Sequence, residues 1–219
     1  MKTMIAIPCM DSVPSGFNTS LLYLEKGENV SVNQLSNSLV YDARNIISIN
    51  AITQGFDRVM WFDSDMMFTK PTMKMLMADM DKLNADMVTG VYFKRRPPYS
   101  PVIYDKLEEP KENKDGKPVA QVTTYDDFPR DTLFPVRGCG FGCVLTSVKL
   151  LKEVWDKFGP AFSPLPWAGE DMSFCYRVNQ LGHQIWCDSN IMCGHIGTYV
   201  YTEKDFEAYR NRGDADGQT

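Results

Sequence analysis

The triplet Asp63-Ser64-Asp65 is the first candidate for chemistry in this chain of 219 residues. It directly follows Val59-Met60-Trp61-Phe62, an apolar run typical of a strand that is buried on both faces. In open α/β sheets the ligand crevice lies beyond the carboxyl ends of the strands. Two carboxylates there, one residue apart, can hold a hard divalent cation that bridges to a diphosphate. The alternative is a turn in which the aspartates cap the next helix.

Two other pairs of aspartates have the same spacing, but neither follows a predicted strand. Asp79 and Asp81 flank the apolar stripe of an amphipathic segment, and we interpret them as part of its solvated face. Asp214 and Asp216 lie in a polar tail. Position along the chain therefore favours the first pair as the metal site.

A different acidic pair, Glu170-Asp171, follows Gly169 at the predicted start of a helix. Such a pair is common at a helix N-terminus, because the helix dipole attracts negative charge there, and this would account for it alone. The chemical interpretation is that one carboxylate acts as a general base toward a hydroxyl nucleophile. Trp167, just before this pair, suits the floor of a sugar site, although a lone tryptophan is also typical of a core.

Three further groups of residues could bind anions or metal. His195 lies between Gly194 and Gly197. The conformational freedom of the glycine backbone would let the His195 side chain reach across a site. Imidazole is a common ligand of manganese and zinc. Arg44, near the start of a predicted helix and followed by Asn45, could contact phosphate or a base edge, or form only a surface salt bridge. The run 94–96, Lys-Arg-Arg, follows a predicted strand and is interpreted as a local cationic patch for phosphates.

Other familiar motifs find little support. The segment 138–142, Gly-Cys-Gly-Phe-Gly, has Cys143 where a dinucleotide loop needs its third glycine, and it follows late strands. No nucleophile elbow is present, and His183, after Gly182, is interpreted as a turn or surface residue. A Rossmann cofactor site and a serine-hydrolase triad are both disfavoured.

Hydrophobic periodicity predicts the elements that position these residues. In the first 93 residues strands and helices alternate, which predicts a mainly parallel sheet with helices on both faces. Residues 11–38 are mixed and polar, with Pro14, Gly16 and Gly27 as turn signals, and residues 105–118 are predicted to form a charged surface hairpin or loop. The predicted strands are 4–7, 59–62, 87–93, 120–125, 133–136 and 184–187. The predicted helices are 41–54, a segment after Pro71 that reaches residue 83, 148–158 and a segment from Glu170 to Gly182.

Composition narrows the class of protein. The chain is 43% hydrophobic and carries 23 Lys and Arg against 28 Asp and Glu, a net charge of −5. These values exclude a disordered or fibrous protein and argue against one whose main task is to grip nucleic acid. The six cysteines contain no CxxC and are too scattered for a disulfide scaffold. Without an apolar stretch of about 18 residues, we expect a soluble, cytoplasmic protein, with peripheral membrane association left open.

Taken in order, these features resemble a nucleotide-sugar-dependent glycosyltransferase of the GT-A fold, of the bacterial and phage family-2-like kind. The resemblance covers roughly residues 2–200 and rests on the segments Ile5-Ala6-Ile7-Pro8, Ala43-Arg44-Asn45, Asp63-Ser64-Asp65 after its strand, Gly169-Glu170-Asp171, and His195. It implies a single α/β domain over residues 1–210, with a Rossmann-like, mainly parallel central sheet flanked by helices. Residues 1–95 would form the nucleotide-binding half, residues 96–210 a smaller mixed half for acceptor and catalysis, and residues 211–219 a flexible tail.

The resemblance also implies which residues bind the donor. The loop after the first strand would hold the nucleoside, Arg44 would contact the nucleotide, and the metal would be Mn²⁺ or Mg²⁺ on the diphosphate. The residues expected to bind the nucleotide-sugar donor, with UDP favoured, are Pro8, Cys9, Asp11, Arg44, Asp63, Ser64 and Asp65. The expected metal ligands are Asp63, Asp65 and His195.

On the acceptor side, the resemblance implies that Asp171, with Glu170 beside it, removes the proton of the acceptor hydroxyl in an inverting transfer. Gly140, Trp167 and Gly169 would lie on the side of the donor sugar or the acceptor. A retaining transferase, a nucleotidyltransferase on a related sheet and a non-catalytic carbohydrate-binding module remain as alternatives. The acceptor stays open among a glycan, a lipid-linked group, a protein and a modified nucleobase, and the oligomeric state is not determined.

Overall fold

The structure, a computed structural model, describes residues 1–10, 12–197 and 199–216. Its helices are α1 (Ser15–Tyr23), α2 (Val40–Thr53), α3 (Thr72–Leu83), α4 (Val148–Phe158), α5 (Glu170–Gln180) and α6 (Glu203–Asp216). Its strands are β1 (Thr3–Pro8), β2 (Val30–Leu35), β3 (Arg58–Phe62), β4 (Met66–Met67), β5 (Met87–Val91), β6 (Ile103–Glu112), β7 (Pro118–Thr124), β8 (Leu133–Val136), β9 (Gly138–Cys139), β10 (Cys143–Ser147), β11 (Ile185–Met192), β12 (Gly194–Ile196) and β13 (Val200–Tyr201).

The central sheet has seven strands in the order β2-β1-β3-β10-β5-β11-β8. β1 pairs in parallel with β2 and β3, and β5 pairs in parallel with β11. β10 runs antiparallel to β3 and β5, and β8 runs antiparallel to β11. All strands of the sheet except β8 and β10 therefore point the same way, which confirms the expected mainly parallel sheet. Their carboxyl ends lie along one edge, where open α/β sheets bind ligands.

Helices cover both faces of this sheet, and each face has its own apolar core. Successive side chains of β3 alternate between the two cores, because neighbouring residues of a strand point to opposite faces. Trp61 belongs to the core that includes Ile47 of α2 and Phe174 of α5. Phe62 belongs to the core that includes Phe17 of α1 and Leu76 of α3. Burial on both faces explains why β3 is apolar at almost every position.

Two smaller sheets flank the central one. The first, β13-β12-β4, joins the segment after Asp65 to the segment that carries His195, which lies opposite Met66 in the ladder. The second, β7-β6-β9, contains the long β6–β7 hairpin, which agrees with the surface hairpin expected near residues 105–118. These sheets make up the smaller, mixed part of the domain.

Each predicted strand and helix has a counterpart in the fold, but α1 and β2 lie in the segment 11–38, for which no element was predicted. The central strand β10, the short strands β4, β9, β12 and β13, and helix α6 were not predicted either. α1 buries only Phe17 and Ser20 and has no side-chain cap, so its sequence carries a weak helical signal. β2 is an edge strand whose residues are mostly exposed, so it lacks the apolar run of a buried strand. At the other end, α6 includes residues 211–216 of the expected flexible tail, and residues 217–219 lie outside the described ranges.

Two features of the described residues bear on the expected class of protein. None of their helices combines the length and apolar character needed to cross a membrane. All six cysteines are buried as free thiols.

Asp79, Asp81 and His183, to which the sequence analysis gave no role in the site, have defined neighbours in the fold. Asp81 is exposed, as expected of a solvated face, and it pairs with the buried Arg58. Asp79 differs from the expectation, because its Oδ2 atom is buried without a hydrogen-bond partner and lies near Asp188. His183 lies in the turn after α5, where its two ring nitrogens contact Asp86 at 3.0 Å and Glu153 at 2.7 Å.

The Asp79 carboxyl group predicts a pH dependence of stability. Burial, and then the charge of Asp188, raises the pKa of Asp79 to about 6. Between about pH 4 and pH 6, Asp79 therefore keeps a proton in the folded protein that it has lost in the unfolded chain. The free energy of unfolding falls as pH rises through this range, because Asp79 becomes charged beside Asp188. We expect Asp79→Asn to raise the free energy of unfolding by about 1 kcal/mol at pH 8, a gain limited by solvent screening.

The measurement is urea denaturation at pH 8 and at pH 4, where the gain should disappear. Asp156→Asn is the control, because Asp156 is exposed and paired with Lys152 on the surface of α4. An equal gain at both pH values would show that the carboxylate pair is not the cause.

Candidate active site

A cavity of about 330 Å³ opens at the carboxyl ends of β1 and β3. Its volume falls in the usual range for small-molecule sites, about 300–1,000 Å³. It brings together side chains from both halves of the chain, which lie more than a hundred positions apart in sequence. The lining residues are Pro8, Cys9, Met10, Ser38, Val40, Arg44, Asp63, Ser64, Asp65, Tyr92, Arg95, Glu170, Asp171 and His195.

One end of the cavity is formed by the loop after β1. The backbone N–H of Cys9 donates to the carbonyl of Leu35 at 3.0 Å, and the Cys9 thiol lies 3.3 Å from the Ser36 hydroxyl. These contacts join the loop to the end of β2, which brings Ser38 to the same wall. Pro8 and Cys9 thus lie where the resemblance expects a nucleoside, whereas Asp11 lies outside the described residues.

Arg44, from the first turns of α2, is only 2% exposed and links the two acidic motifs. One guanidinium nitrogen contacts Oδ1 of Asp63 at 2.6 Å, and another contacts Oε1 of Glu170. The rings of Phe141 and Phe162 lie 5.3 and 5.9 Å from the guanidinium carbon. Arg44 lines the cavity as expected, but two of its nitrogens are engaged by protein carboxylates.

Asp63 is held by this arginine in a partly buried setting. Burial raises the pKa of Asp63 above its usual value, although the adjacent Arg44 charge acts in the opposite direction. Its Oδ1 atom is already occupied by the guanidinium. Asp63 therefore serves first to anchor the end of β3 to α2.

Asp65 and His195 approach each other across the paired strands β4 and β12. His195 Nε2 lies 3.4 Å from Asp65 Oδ2, and the backbone N–H of Ile196 donates to the carbonyl of Asp65 at 2.7 Å. His195 Nδ1 lies 2.8 Å from the carbonyl oxygen of Phe93, which can only accept, so Nδ1 must carry a hydrogen. In the protonated ring Nε2–H points toward Asp65 and can donate to it, whereas in the neutral ring Nε2 has a lone pair available to a cation.

The charge around Asp65 is balanced by basic groups. Burial alone would raise the pKa of Asp65, but the hydrogen bond and charge of His195 and the charge of Arg95 lower it below the usual value. Arg95 Nη1 lies 3.0 Å from Asp65 Oδ2 and 3.0 Å from the carbonyl oxygen of Ile196. Asp65 is thus kept as a carboxylate that attracts cations.

The donor atoms of Asp65 and His195 suit a manganese or magnesium ion. A carboxylate oxygen and an imidazole nitrogen are ligands for such ions, and a backbone carbonyl commonly orients a ligating histidine as Phe93 does here. Among the described residues no group of three or more His, Cys, Asp or Glu side chains forms a complete metal cage. The remaining ligands would have to come from a bound molecule, such as a diphosphate.

Asp171 and Glu170 begin α5, directly after Gly169, but their environments differ. Glu170 contacts Arg44, whereas Asp171 Oδ1 accepts the backbone N–H of Met172 at 2.7 Å. Burial, and then the negative charge of Glu170, raises the pKa of Asp171 to about 6. A carboxyl group of this kind can exchange a proton near neutral pH, which suits a general base.

Tyr92, just after β5, is a site residue that the sequence analysis missed. Its ring lies edge-on to His195, with centroids 5.3 Å apart, and it forms part of the cavity wall. A Cβ atom at Gly140 would lie 2.0 Å from the Tyr92 hydroxyl oxygen, and one at Gly142 would lie 2.9 Å from its ring. The glycine-rich turn therefore lies behind Tyr92 and supports it.

The same rule that found Asp63 and Asp65, a polar residue at a strand end, would have identified Tyr92. Ser38 and Val40 could not be found in that way, because the preceding strand β2 carries a weak signal in the sequence.

Three expected residues are not brought to the cavity wall: Gly169, which is the N-cap of α5, and Trp167 and Gly140. Trp167 is partly buried and meets the ring of Tyr176 edge-on, with centroids 5.2 Å apart. Gly140 lies behind Tyr92 and reaches the site only through that ring. None of the three is among the described residues that line the cavity, so the sugar floor expected from Trp167 stays a prediction.

The close contact at Gly140 predicts a steric effect. Gly140→Ala is expected to lower the free energy of unfolding by about 1–3 kcal/mol, because its Cβ would overlap the Tyr92 hydroxyl in a packed region. Gly27→Ala is the matched control, since a Cβ at Gly27 has no atom within 4 Å. Thermal denaturation compares the two variants, and equal stabilities would contradict the proposed support of Tyr92.

The described fold was compared with known proteins. Neither a protein-family model nor a curated protein matches the chain. Among solved structures, it is similar to A197 from STIV, with a TM-score of 0.66, 20% identity, and coverage of 90% of this chain and 86% of that chain. It is also similar to GalNAc-T7, solved with UDP, GalNAc and Mn²⁺, with a TM-score of 0.58 and 12% identity.

The second comparison covers 95% of this chain and 47% of the GalNAc-T7 chain, so the protein spans about half the length of that neighbour. At these identities the likeness concerns the fold. The chain therefore has an α/β fold of the GT-A type, as the resemblance in its sequence led us to expect.

Proposed function

We propose that this protein is a metal-dependent glycosyltransferase, which moves a sugar from a nucleoside-diphosphate sugar to an acceptor hydroxyl. The observation that carries the proposal is the convergence of Asp65, His195 and Asp171 on one cavity at the carboxyl ends of the parallel strands. The similarity of the fold to GalNAc-T7, which was solved with UDP, GalNAc and Mn²⁺, supports a UDP-sugar as the favoured donor.

The donor would lie along the cavity from one end to the other. The nucleoside lies against the loop after β1, formed by Pro8, Cys9 and Met10, with Ser38 opposite. The diphosphate lies near Asp65 and His195, the residues that would hold Mn²⁺ or Mg²⁺. When bound, the metal supplies positive charge that neutralises the developing charge of the leaving diphosphate.

Asp171 is the proposed general base. The acceptor oxygen forms a bond to the anomeric carbon while the bond from that carbon to the diphosphate oxygen breaks, with inversion at the carbon. The acceptor proton passes to the Asp171 carboxylate, and the diphosphate leaves with the electron pair of the broken bond. A pKa of about 6 leaves Asp171 largely deprotonated at pH 7 and still basic enough to accept the proton.

Arg44 and Glu170 are positioning residues in this scheme. Glu170 forms an ion pair with Arg44, whereas Asp171 beside it forms none within the described part of the chain. A second ion pair, between Arg44 and Asp63, holds the end of β3. The arginine thereby fixes the distance between the diphosphate region and the base.

Donor and metal binding can be tested by thermal denaturation. UDP with Mn²⁺, each at about a hundredfold its dissociation constant, is expected to stabilise the protein by about 2.7 kcal/mol, which raises Tm by several degrees. EDTA should remove the gain, and Asp65→Ala should show almost none, because a metal ligand is lost.

Asp115→Ala is the control, since Asp115 lies in the exposed turn between β6 and β7. If wild type and Asp65→Ala respond equally, with and without metal, Asp65 is not a metal ligand. Release of pyrophosphate from nucleoside triphosphates, in place of UDP from a nucleotide sugar, would support a nucleotidyltransferase. Glycan binding without metal or nucleotide would support a carbohydrate-binding module.

The role of Asp171 predicts both a mutational and a pH effect. Asp171→Asn is expected to lower kcat by about 10²–10⁴-fold while the Tm gain with UDP and Mn²⁺ is kept, because only the base is lost. In the wild type, the rate should fall as pH decreases through about 6, since the carboxyl then becomes protonated.

The measurement is UDP release from a UDP-sugar as a function of pH, with Asp156→Asn as the surface control. Turnover that is unchanged in Asp171→Asn would remove this residue from the mechanism. NMR of the anomeric proton in the product distinguishes inversion from retention, and retention would exclude Asp171 as a base in a single displacement.

A further inference from the structure

A second cavity, of about 480 Å³, adjoins the proposed donor site. It shares Tyr92, Arg95 and His195 with the first cavity, so the two are neighbours around these side chains. The rest of its wall is formed by Lys94, Arg96 and Val102. Val102 also lies against the glycine-rich turn, because a Cβ at Gly140 would approach it to 2.7 Å.

The order of residues along the two cavities gives the second one a place in the reaction. The loop of Pro8 and Cys9 lies in the first cavity only, whereas Tyr92 and His195 belong to both. A donor with its nucleoside against the loop and its diphosphate near His195 therefore leaves the second cavity free. The second cavity would then adjoin the diphosphate across the shared wall of Tyr92, Arg95 and His195.

The second cavity carries an unbalanced positive charge. Its lining contains Lys94, Arg95, Arg96 and His195 and no carboxylate among the described residues. Arg95 pairs with Asp65, but Lys94 and Arg96 have no ion pair within the described part of the chain. Such a concentration of cations is notable in a chain whose net charge is −5.

The backbone holds these cations in a defined loop. The N–H of Lys94 donates to the carbonyl of Ser100 at 3.0 Å, and the N–H of Tyr99 donates to the carbonyl of Arg96 at 2.9 Å. A bridge between Phe93 and Pro101 closes the base of the loop. The two side chains therefore project from a short hairpin-like turn whose ends are fixed to β5.

We propose that the second cavity is an acceptor subsite that takes a small phosphorylated acceptor, with Lys94 and Arg96 binding its phosphate. This assignment rests on the proposed glycosyltransferase function. Lysine and arginine are the usual partners of phosphate oxygens, with charge-assisted hydrogen bonds that are stronger than neutral ones. The bound phosphate would direct the acceptor hydroxyl toward the shared wall at Tyr92 and the base beyond it.

A compact acceptor fits better than an extended polyanion. The cationic residues are confined to one cavity, and a separate cavity lined by Pro97, Tyr99 and Tyr209 contains the carboxylate of Asp205. A nucleic-acid strand or an anionic membrane would also meet the net negative charge of the chain, which opposes its approach. A single phosphate group responds mainly to the cations within a few ångströms.

The test uses inorganic phosphate as the probe and the protein loaded with UDP and Mg²⁺. Titration followed by ³¹P NMR is expected to show saturable phosphate binding to the wild type. The double variant Lys94→Ala/Arg96→Ala should bind phosphate about tenfold more weakly, because two charge-assisted contacts are lost. Lys114→Ala/Lys117→Ala is the matched control, since both lysines are exposed in the β6–β7 turn.

The outcomes separate this subsite from the donor site. Equal phosphate affinity in all three proteins, or no saturable binding, overturns the subsite. Weaker binding of UDP with Mg²⁺ to the Lys94/Arg96 variant assigns these cations to the donor and also overturns it. Should UDP fail to bind at all, the proposed function fails, and the same titration without nucleotide still reports on the two cations.

Two further titrations test whether the acceptor is small. A short single-stranded oligonucleotide and vesicles containing phosphatidylglycerol are titrated against the same three proteins. We expect neither to bind measurably at physiological salt. Tight binding of either one that is lost in Lys94→Ala/Arg96→Ala would contradict a small acceptor.

Discussion

The buried guanidinium of Arg44 is the interaction on which the proposed site depends. It lies between Asp63 at the end of β3 and Glu170 at the start of α5, two residues that are 107 positions apart in the chain. Removal of one partner from a buried ion pair typically costs about 3–5 kcal/mol, because a charge is left without compensation. The arginine therefore couples the stability of the fold to the relative position of the two acidic motifs.

Around this centre, neighbouring groups orient the side chains to which the proposal gives a role. The carbonyl of Phe93 sets the tautomer of His195, and the turn at Gly140 and Gly142 supports Tyr92 against the imidazole. Glu170 pairs with Arg44, and burial together with the charge of Glu170 raises the pKa of Asp171. The two adjoining cavities thus extend from the uncharged residues at Pro8 to the cationic turn at Lys94.

The rule that ligands bind at the carboxyl ends of strands made Asp63 and Asp65 candidates before the fold was known, because β3 is apolar enough to be recognised from its sequence. The same rule applied to β5 would have found Tyr92. The wall formed by Ser38 could not be predicted, since β2 is a polar edge strand and α1 has little amphipathic pattern. For Trp167 the sequence leaves two interpretations open, because an aromatic residue near a carboxylate can equally pack against another ring, and in the fold it does contact Tyr176.

The sequence by itself determined the alternating order of strands and helices and the types of residue at the strand ends, because hydrophobic periodicity and turn residues are local signals. Only the tertiary structure decided which of these residues meet. The pairing of β4 with β12 brings His195 to Asp65, and the burial of α2 brings Arg44 between Asp63 and Glu170. Contacts between residues so far apart in the chain depend on strand order and packing, and no local pattern encodes them.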